Sequence, residues 1–287
     1  MPLSERFETE LIEFTRQLVR LQSYSDHEGA VAEAVVARMR ELGYDEAFID
    51  STGNAVGFIG GGDKIVHFDS HMDTVEAGDA GDWTLPPFAA EIRDGRLYGR
   101  GSVDMKSGLA ASIYDAALAR ERGYANDKKI CVSGPVCEEY CDGKNLKMMY
   151  RELTLRPDFV VICEPSDNVI TLGHKGKAQM RIKTHGLSAH GSAPEKGINA
   201  VYEMAEIICR VEALNKKLTA GGDPHGTIVL SDISCVSASL NAVPSEAEIY
   251  LDRRLVLGET EQKVRAEMEE LIAGKRATWE TGTLRRT

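Results

Sequence analysis

The stretch Ile65-Val-His-Phe-Asp-Ser-His-Met-Asp-Thr-Val75 decides how the rest of the chain is read. Its first half, Lys64 to Phe68, reads as a β-strand rising out of the turn-forming Gly60–Gly62. His67, Asp69, His71 and Asp73 share one parity, so in an extended chain they project from one face. Two His-x-Asp pairs therefore compete for one role. Open α/β sheets bind ligands beyond the carboxyl ends of their strands. That assigns His71 and Asp73 to the rim, and His67 and Asp69 to the strand body. A rim imidazole held by a carboxylate through its second nitrogen suits a metal ligand. Standing alone, such a pair is more often packing or a surface hydrogen bond. Other stretches alter that balance.

The chain of 287 residues exceeds a typical single domain, which favours two. Its apolar content of 43% and charged content of 28% are ordinary for a soluble globular protein. A net charge of −11 argues against nucleic acid and anionic membranes as partners. No apolar run approaches the roughly 20 residues that span a bilayer. The start, Met-Pro-Leu-Ser-Glu-Arg, lacks the basic-then-apolar order of a signal peptide. Cysteines at 131, 137, 141, 163, 209 and 235 form no paired framework and suit reduced thiols in the cytoplasm.

Outward from the opening stretch, Phe7, Leu11, Phe14 and Leu18 predict a helix over 4–20, and a second helix is expected over 28–42. His27, in the loop between them, reads as a surface residue. Short strands follow near 46–50 and 55–59, and a polar excursion containing Trp83 and Pro86-Pro87 comes after Asp73. Arg96 to Gly108 then places Asp104 among Gly99, Gly101 and Gly108 before a helix over 109–121. Glycine-rich strand-to-helix turns also cradle phosphates. Asp104 would repel a phosphate, so a cation is the better guest. A strand over 129–136 ends in Cys137-Glu-Glu-Tyr-Cys141, and one over 158–163 ends in Glu164-Pro165. Zinc held by Cys137 and Cys141 is disfavoured, since structural zinc commonly takes four ligands from two such pairs. Three strands thus deliver His71/Asp73, Glu138/Glu139 and Glu164 to their carboxyl ends, with Asp104 beside them. That convergence is the strongest signal in the chain.

The character changes at Gly173-His-Lys-Gly176. Strands are predicted over 177–184, 227–235, 247–255 and 277–284, with helices over 197–214 and 259–272. The order βαββαβ matches a ferredoxin-like α+β unit. The fold expectation is therefore α/β. Residues 1–174 form a domain with a mixed, mostly parallel sheet flanked by helices, and residues 175–287 a smaller second domain.

With these motifs in place, the chain resembles the dinuclear zinc amidohydrolases and peptidases grouped with acetylornithine deacetylase, succinyl-diaminopimelate desuccinylase, aminoacylase and carboxypeptidase G. Within that group it is similar to the selenium-metabolism-linked hydrolases. The resemblance implies a catalytic domain with an inserted lid and dimerisation domain, hence a homodimer acting on a small amide or peptide. His71 would bind one zinc with Asp73 orienting its imidazole, Asp104 would bridge two zincs, Glu164 would complete the first, and Glu139 would bind the second. Glu138 would be the general base, and the Asp104–Met105 peptide would be cis. In the lid, His190 (Ser188-Ala-His190) matches a histidine that reaches the partner's active site. Asn241 and Arg254 match positions that hold the substrate's carboxylate. Without the resemblance, His190 is equally a loop histidine and Arg254 a surface ion pair. Strand alternation sets Arg253 and Arg254 on opposite faces. Mixed His/carboxylate sites also accept cobalt or manganese.

The chain departs from the family at its end. The family's second zinc takes a histidine from a return segment after the lid, and Thr287 is the last residue here. None of His27, His67, His174, His185 or His225 sits in a matching motif. The expectation is a C-terminal truncation lacking about a hundred residues, with apolar surface left open on the first sheet. The alternative function is a non-catalytic binding or dimerisation fragment of the same fold.

Overall fold

The computed structural model describes residues 3–222 and 224–282. They divide between Ile170 and Thr171 into two compact units. The first holds helices α1 (Leu3–Arg20) and α2 (Gly29–Glu41), then strands β1 (Glu46–Ile49), β2 (Ala55–Ile59) and β3 (Lys64–Asp69). A hairpin, β4 (Glu91–Arg93) and β5 (Arg96–Tyr98), leads to α3 (Lys106–Glu121) and β6 (Lys128–Gly134). The short helices α4 (Glu138–Cys141) and α5 (Lys144–Glu152) precede β7 (Phe159–Ile162).

The sheet order is β1-β2-β6-β3-β7. β3 runs parallel to both β6 and β7, while β2 is antiparallel to β6 and to β1. Reversing twice brings β1 back to the common direction, so β2 alone runs against the rest and the sheet is mixed and mostly parallel. Phe14 and Leu18 from α1, Val31 and Val35 from α2, and Leu109 and Ile113 from α3 bury one sheet face. Met149 and Leu155 cover the other, against Val56, Phe58 and Cys131. β7 is apolar yet exposed along its whole length, with Phe159 at 68%, which leaves apolar surface open at that edge.

The second unit runs β8 (Gly176–His185), α6 (Ala200–Thr219), β9 (Thr227–Val236), β10 (Glu246–Leu255), α7 (Glu261–Ile272) and β11 (Ala277–Thr281). Its antiparallel sheet has the order β11-β8-β10-β9, which completes the expected βαββαβ unit. Met180, Ile182, Ile249 and Leu251 face Met204, Ile207, Val264 and Met268 of the two helices. Charged ladders cover alternate positions, such as Arg181 with Glu248 at 3.1 Å and Lys183 with Glu246 at 3.4 Å. Among the described residues no helix is long and apolar enough to cross a membrane.

The structure moves several predicted boundaries. α3 begins at Lys106, three residues earlier than periodicity suggests, with Met105 as its N-cap residue. α6 starts at Ala200, where the Asn199 side chain accepts the Val201 N–H, and continues to Thr219. The hairpin β4–β5 and helices α4 and α5 lie where no element was predicted; each is too short for a periodic pattern to stand out. The end of the last predicted strand, toward Leu284, lies outside the described residues.

Candidate metal centre

Parallel pairing puts the carboxyl ends of β3, β6 and β7 on one side of the sheet. The chain leaving each end stays clamped to its neighbours: the Met72 N–H donates to the Pro135 carbonyl at 3.0 Å, and the Cys163 N–H to the Asp69 carbonyl at 2.9 Å. Gly108 lets α3 approach β7, since a Cβ there would stand 2.8 Å from the Cys163 carbonyl oxygen. The close approach brings the start of α3, with Asp104, toward Glu164.

His71 lies at the centre of this rim, 2% exposed. Its Nε2 is 3.0 Å from Asp104 Oδ1, 3.7 Å from Glu164 Oε1 and 3.9 Å from Glu138 Oε2. Its Nδ1 is 2.9 Å from the main-chain carbonyl of Asp73 and 3.4 Å from that residue's carboxylate. The carbonyl is the closer acceptor, so the main chain of Asp73, more than its carboxylate, sets the ring's orientation. The carboxylate is engaged elsewhere. It accepts the Glu138 N–H at 3.0 Å, the Glu139 N–H at 3.1 Å and the Ser25 hydroxyl at 2.7 Å. Asp73 therefore joins the imidazole to the turn that carries the two glutamates.

Ligand atoms of His71, Asp104 and Glu139 lie within 4.8 Å of one another, as do those of His71, Glu138 and Glu164. The two groups share His71, whereas the family resemblance has Asp104 shared between two ions. The Asp104–Met105 peptide is cis, as that resemblance implies. Among the described residues no lysine or arginine nitrogen comes within ion-pair distance of these five carboxylates. Burial pushes the Glu138 and Glu139 carboxyls above their ordinary values, and surrounding negative charges add to the push. The same causes take Glu164 up to about 7. Burial alone would lower the His71 pKa, but its hydrogen bonds to Asp104 and Asp73 outweigh it and raise it to about 11. Imidazole nitrogen and carboxylate oxygen suit zinc and neighbouring divalent metals. Their unneutralised charge has room for such a cation, so the residues present fit the metal site.

The other His-x-Asp pair has a structural environment. His67 is buried, with Nδ1 2.7 Å from the Tyr150 hydroxyl and Nε2 2.8 Å from Ser133 Oγ. Ser133 Oγ in turn donates to Asp69, so one hydroxyl touches both members of the pair and they share a face. His27 is exposed, as expected.

The remaining candidates lie in the second unit. His190 is exposed, with Nδ1 2.8 Å from Ser192 Oγ, and it bridges to Ala242, the neighbour of Asn241. The Gly191 N–H donates to the Asn241 carbonyl at 2.6 Å, so these two candidates lie at one corner of that unit. Arg254 is half-exposed and pairs with Asp252 at 2.7 Å. Arg253 is fully buried on the opposite face, between Glu259 and Glu267.

Two residues that support the site, Ser25 and Glu28, were not foreseen from the sequence. Glu28 is buried just before α2, and its carboxylate accepts the Cys137 N–H at 2.7 Å, securing the entry to the glutamate turn. Neither residue belongs to a spaced motif, and both act across more than 45 residues of chain.

The chain is similar to known proteins. Residues 172–280 match the family model described as "Peptidase dimerisation domain". The chain is 34% identical over 274 residues to "Uncharacterized protein YgeY" of Escherichia coli, covering 94% of this chain and 68% of that protein. It is 28% identical over 264 residues to "Probable succinyl-diaminopimelate desuccinylase" of Staphylococcus epidermidis, covering 90% and 60% of the two chains. The solved YXEP protein of Bacillus subtilis, described as a dinuclear metal binding peptidase from the M20 family, superposes with a TM-score of 0.64 at 16% identity, covering 97% and 74%.

Proposed function

The chain belongs to the M20 peptidase family of metallopeptidases and amidohydrolases, and from that premise we propose that it serves to cleave an amide bond in an N-acyl amino acid or small peptide. The observation that carries this reading is the gathering of Asp104, Glu138, Glu139 and Glu164 around His71 on one rim, where among the described residues no lysine or arginine pairs with them. In this reading His71 and Glu164 would hold one zinc and Glu139 a second, and Asp104 would serve both. The ions would supply Lewis acidity toward the amide carbonyl and toward water.

Glu138 is the general base. Its carboxyl is pushed up by burial, which suits a group that must take a proton from water and return it to the leaving nitrogen near neutral pH. Asp73 positions both glutamates through their N–H groups and the imidazole through its carbonyl. His190 stabilises the developing oxyanion, and Asn241 and Arg254 hold the substrate's free carboxylate, for which an arginine fork is suited. The second unit serves as lid and as the surface of a homodimer, supported by the dimerisation-domain match. Six cysteines without a disulfide fit a reducing compartment such as the cytoplasm.

Replacing Glu138 tests the assignment of the base. The Glu138→Ala variant is expected to retain zinc and lose hydrolysis of N-acyl amino acids and dipeptides. A variant that hydrolyses as fast as the parent removes Glu138 from this role.

A further inference from the structure

Two thiols bracket the turn that carries Glu138 and Glu139. Cys137 precedes the pair and Cys141 closes the turn, with their Sγ atoms 3.8 Å apart and both sulfurs free. The Cys141 N–H donates to the Cys137 carbonyl at 3.0 Å, a single helical turn. At a helical rise of 1.5 Å per residue, that turn sets the two Cα atoms about 6 Å apart. Disulfides join Cα atoms separated by roughly 4.4–6.8 Å. In a regular helix, side chains four residues apart keep their Cβ atoms about 5–6 Å from each other, too far for a bridge. Cys137 does not follow the helix: its φ of 60° and ψ of 33° are left-handed. Non-glycine residues seldom adopt that conformation and hold it only when neighbours enforce it. Here Glu28 does so, by accepting the Cys137 N–H.

We propose that Cys137 and Cys141 form a redox-modification site, which a hydroperoxide such as hydrogen peroxide converts to an intramolecular disulfide spanning the two glutamates. Cys141 is the more accessible thiol, so it meets the oxidant first. Its sulfur attacks one peroxide oxygen and the O–O bond breaks; the other oxygen leaves as water with the thiol proton, and Cys141 becomes a sulfenic acid. The Cys137 sulfur then attacks the Cys141 sulfur. An S–S bond forms, the S–O bond breaks, and the departing hydroxide leaves as a second water with the Cys137 proton. Two thiols lose two electrons and the peroxide is reduced to two waters. Asp26 Oδ1, 3.7 Å from Cys137 Sγ, accepts its S–H and lies where that proton can be passed on. A dithiol reductant reverses the bridge by thiol–disulfide exchange.

Closing the bridge draws the sulfurs from 3.8 Å to about 2 Å. The backbone N–H groups of Glu138 and Glu139 are fixed on Asp73, so the contraction turns their carboxylates relative to His71. The consequence for metal, which rests on the metal-site reading above, is a roughly tenfold or greater loss of zinc affinity, the scale seen when a ligand's supporting contacts are disturbed.

Peptide mapping tests the bridge directly. The zinc-free chain is treated with a small excess of hydrogen peroxide, its remaining thiols are alkylated in denaturant, and a digest is read by mass spectrometry. The peptide containing both cysteines is expected two hydrogens lighter and unalkylated, and alkylated at both sites after dithiothreitol. The exposed Cys209 and Cys235 serve as unpaired controls. In Cys137→Ser, Cys141 should stop at the sulfenic acid and be trapped by dimedone. Two alkylated thiols after peroxide, or a sulfinic Cys141 without a bridge, overturns the proposal. Zinc affinity of the reduced and bridged chains, by calorimetry, is a separate readout. A bridge with unchanged zinc affinity overturns the shift of the carboxylates. A bridge in a chain that binds no zinc even when reduced supports the thiol pair and counts against the metal-site reading.

Discussion

Among the described residues, Arg253 and His71 are both buried side chains ringed by carboxylates, and the two clusters are resolved in opposite ways. In the second unit, Arg253 is fully buried and its guanidinium is met by Glu259 at 2.6 Å and Glu267 at 3.0 Å. Lys263 reaches Glu259 at 2.8 Å, so the group as a whole is balanced. At the rim of the first sheet, His71 faces Asp104, Glu138 and Glu164, with Asp73 beside it and Glu139 within reach, and among the described residues no lysine or arginine joins them. A balanced buried cluster holds a fold together. An unbalanced one costs stability and persists where a ligand restores the balance.

The largest effect should come from unbalancing the Arg253 cluster. Arg253→Met leaves two carboxylates buried against an apolar side chain, and such breakage costs about 3–5 kcal/mol. Urea unfolding of parent and variant measures it, and adding Glu259→Leu and Glu267→Leu should recover most of the loss. A cost below about 1 kcal/mol for the single change would place this cluster with surface ion pairs.

Acid should reach the same cluster. Arg253 and Lys263 hold Glu259 down to about 2, although burial alone would raise it. A carboxyl whose folded pKa is depressed stabilises the fold above its unfolded value, and the contribution is lost as pH falls through the folded one. Between the ordinary value of 4.5 and about 2, the parent should lose about 3 kcal/mol from this group. Glu259→Gln should show a shallower fall over that range. Parallel pH profiles would remove the pair from the ledger of the fold.

At the rim, Ser25→Ala removes one donor from the Asp73 carboxylate and should cost about 1.5–3 kcal/mol, the range for a hydrogen bond to a charged group. Thermal unfolding reads it, and an unchanged midpoint would show that Asp73 does not depend on the Ser25 loop. The smallest change should have the reverse sign. Without metal, Glu164→Gln removes a carboxylate from a crowd of like charges and should stabilise the chain by up to about 1 kcal/mol. With saturating zinc the same variant should be the less stable one. Destabilisation in both conditions would mean the carboxylates are balanced after all.

What the sequence revealed tracks how local the physics was. The parity of His67, Asp69, His71 and Asp73 separated a strand-body pair from a rim pair, and the structure keeps that division: Ser133 and Tyr150 take His67, and the acids take His71. The second unit was legible because its strands and helices are long and periodic; alternation set Arg253 and Arg254 on opposite faces, and the structure shows that Arg253 is the buried one. Helix α5 was missed because nine residues carry too little periodicity. Ser25 and Glu28 were missed because their hydrogen bonds span 48 and 109 residues. The spacing of Cys137 and Cys141 was visible, but the left-handed Cys137 that goes with their close approach was not.

The central claim is that the unbalanced acids around His71 exist to hold divalent metal. It is tested most directly by equilibrating the purified chain with zinc, removing free metal, and measuring zinc per chain by plasma mass spectrometry, in the parent and in His71→Ala. The account predicts stoichiometric zinc in the parent and its loss in the variant at an unchanged circular dichroism spectrum. A parent that retains no zinc, or a variant that retains as much as the parent, would contradict it.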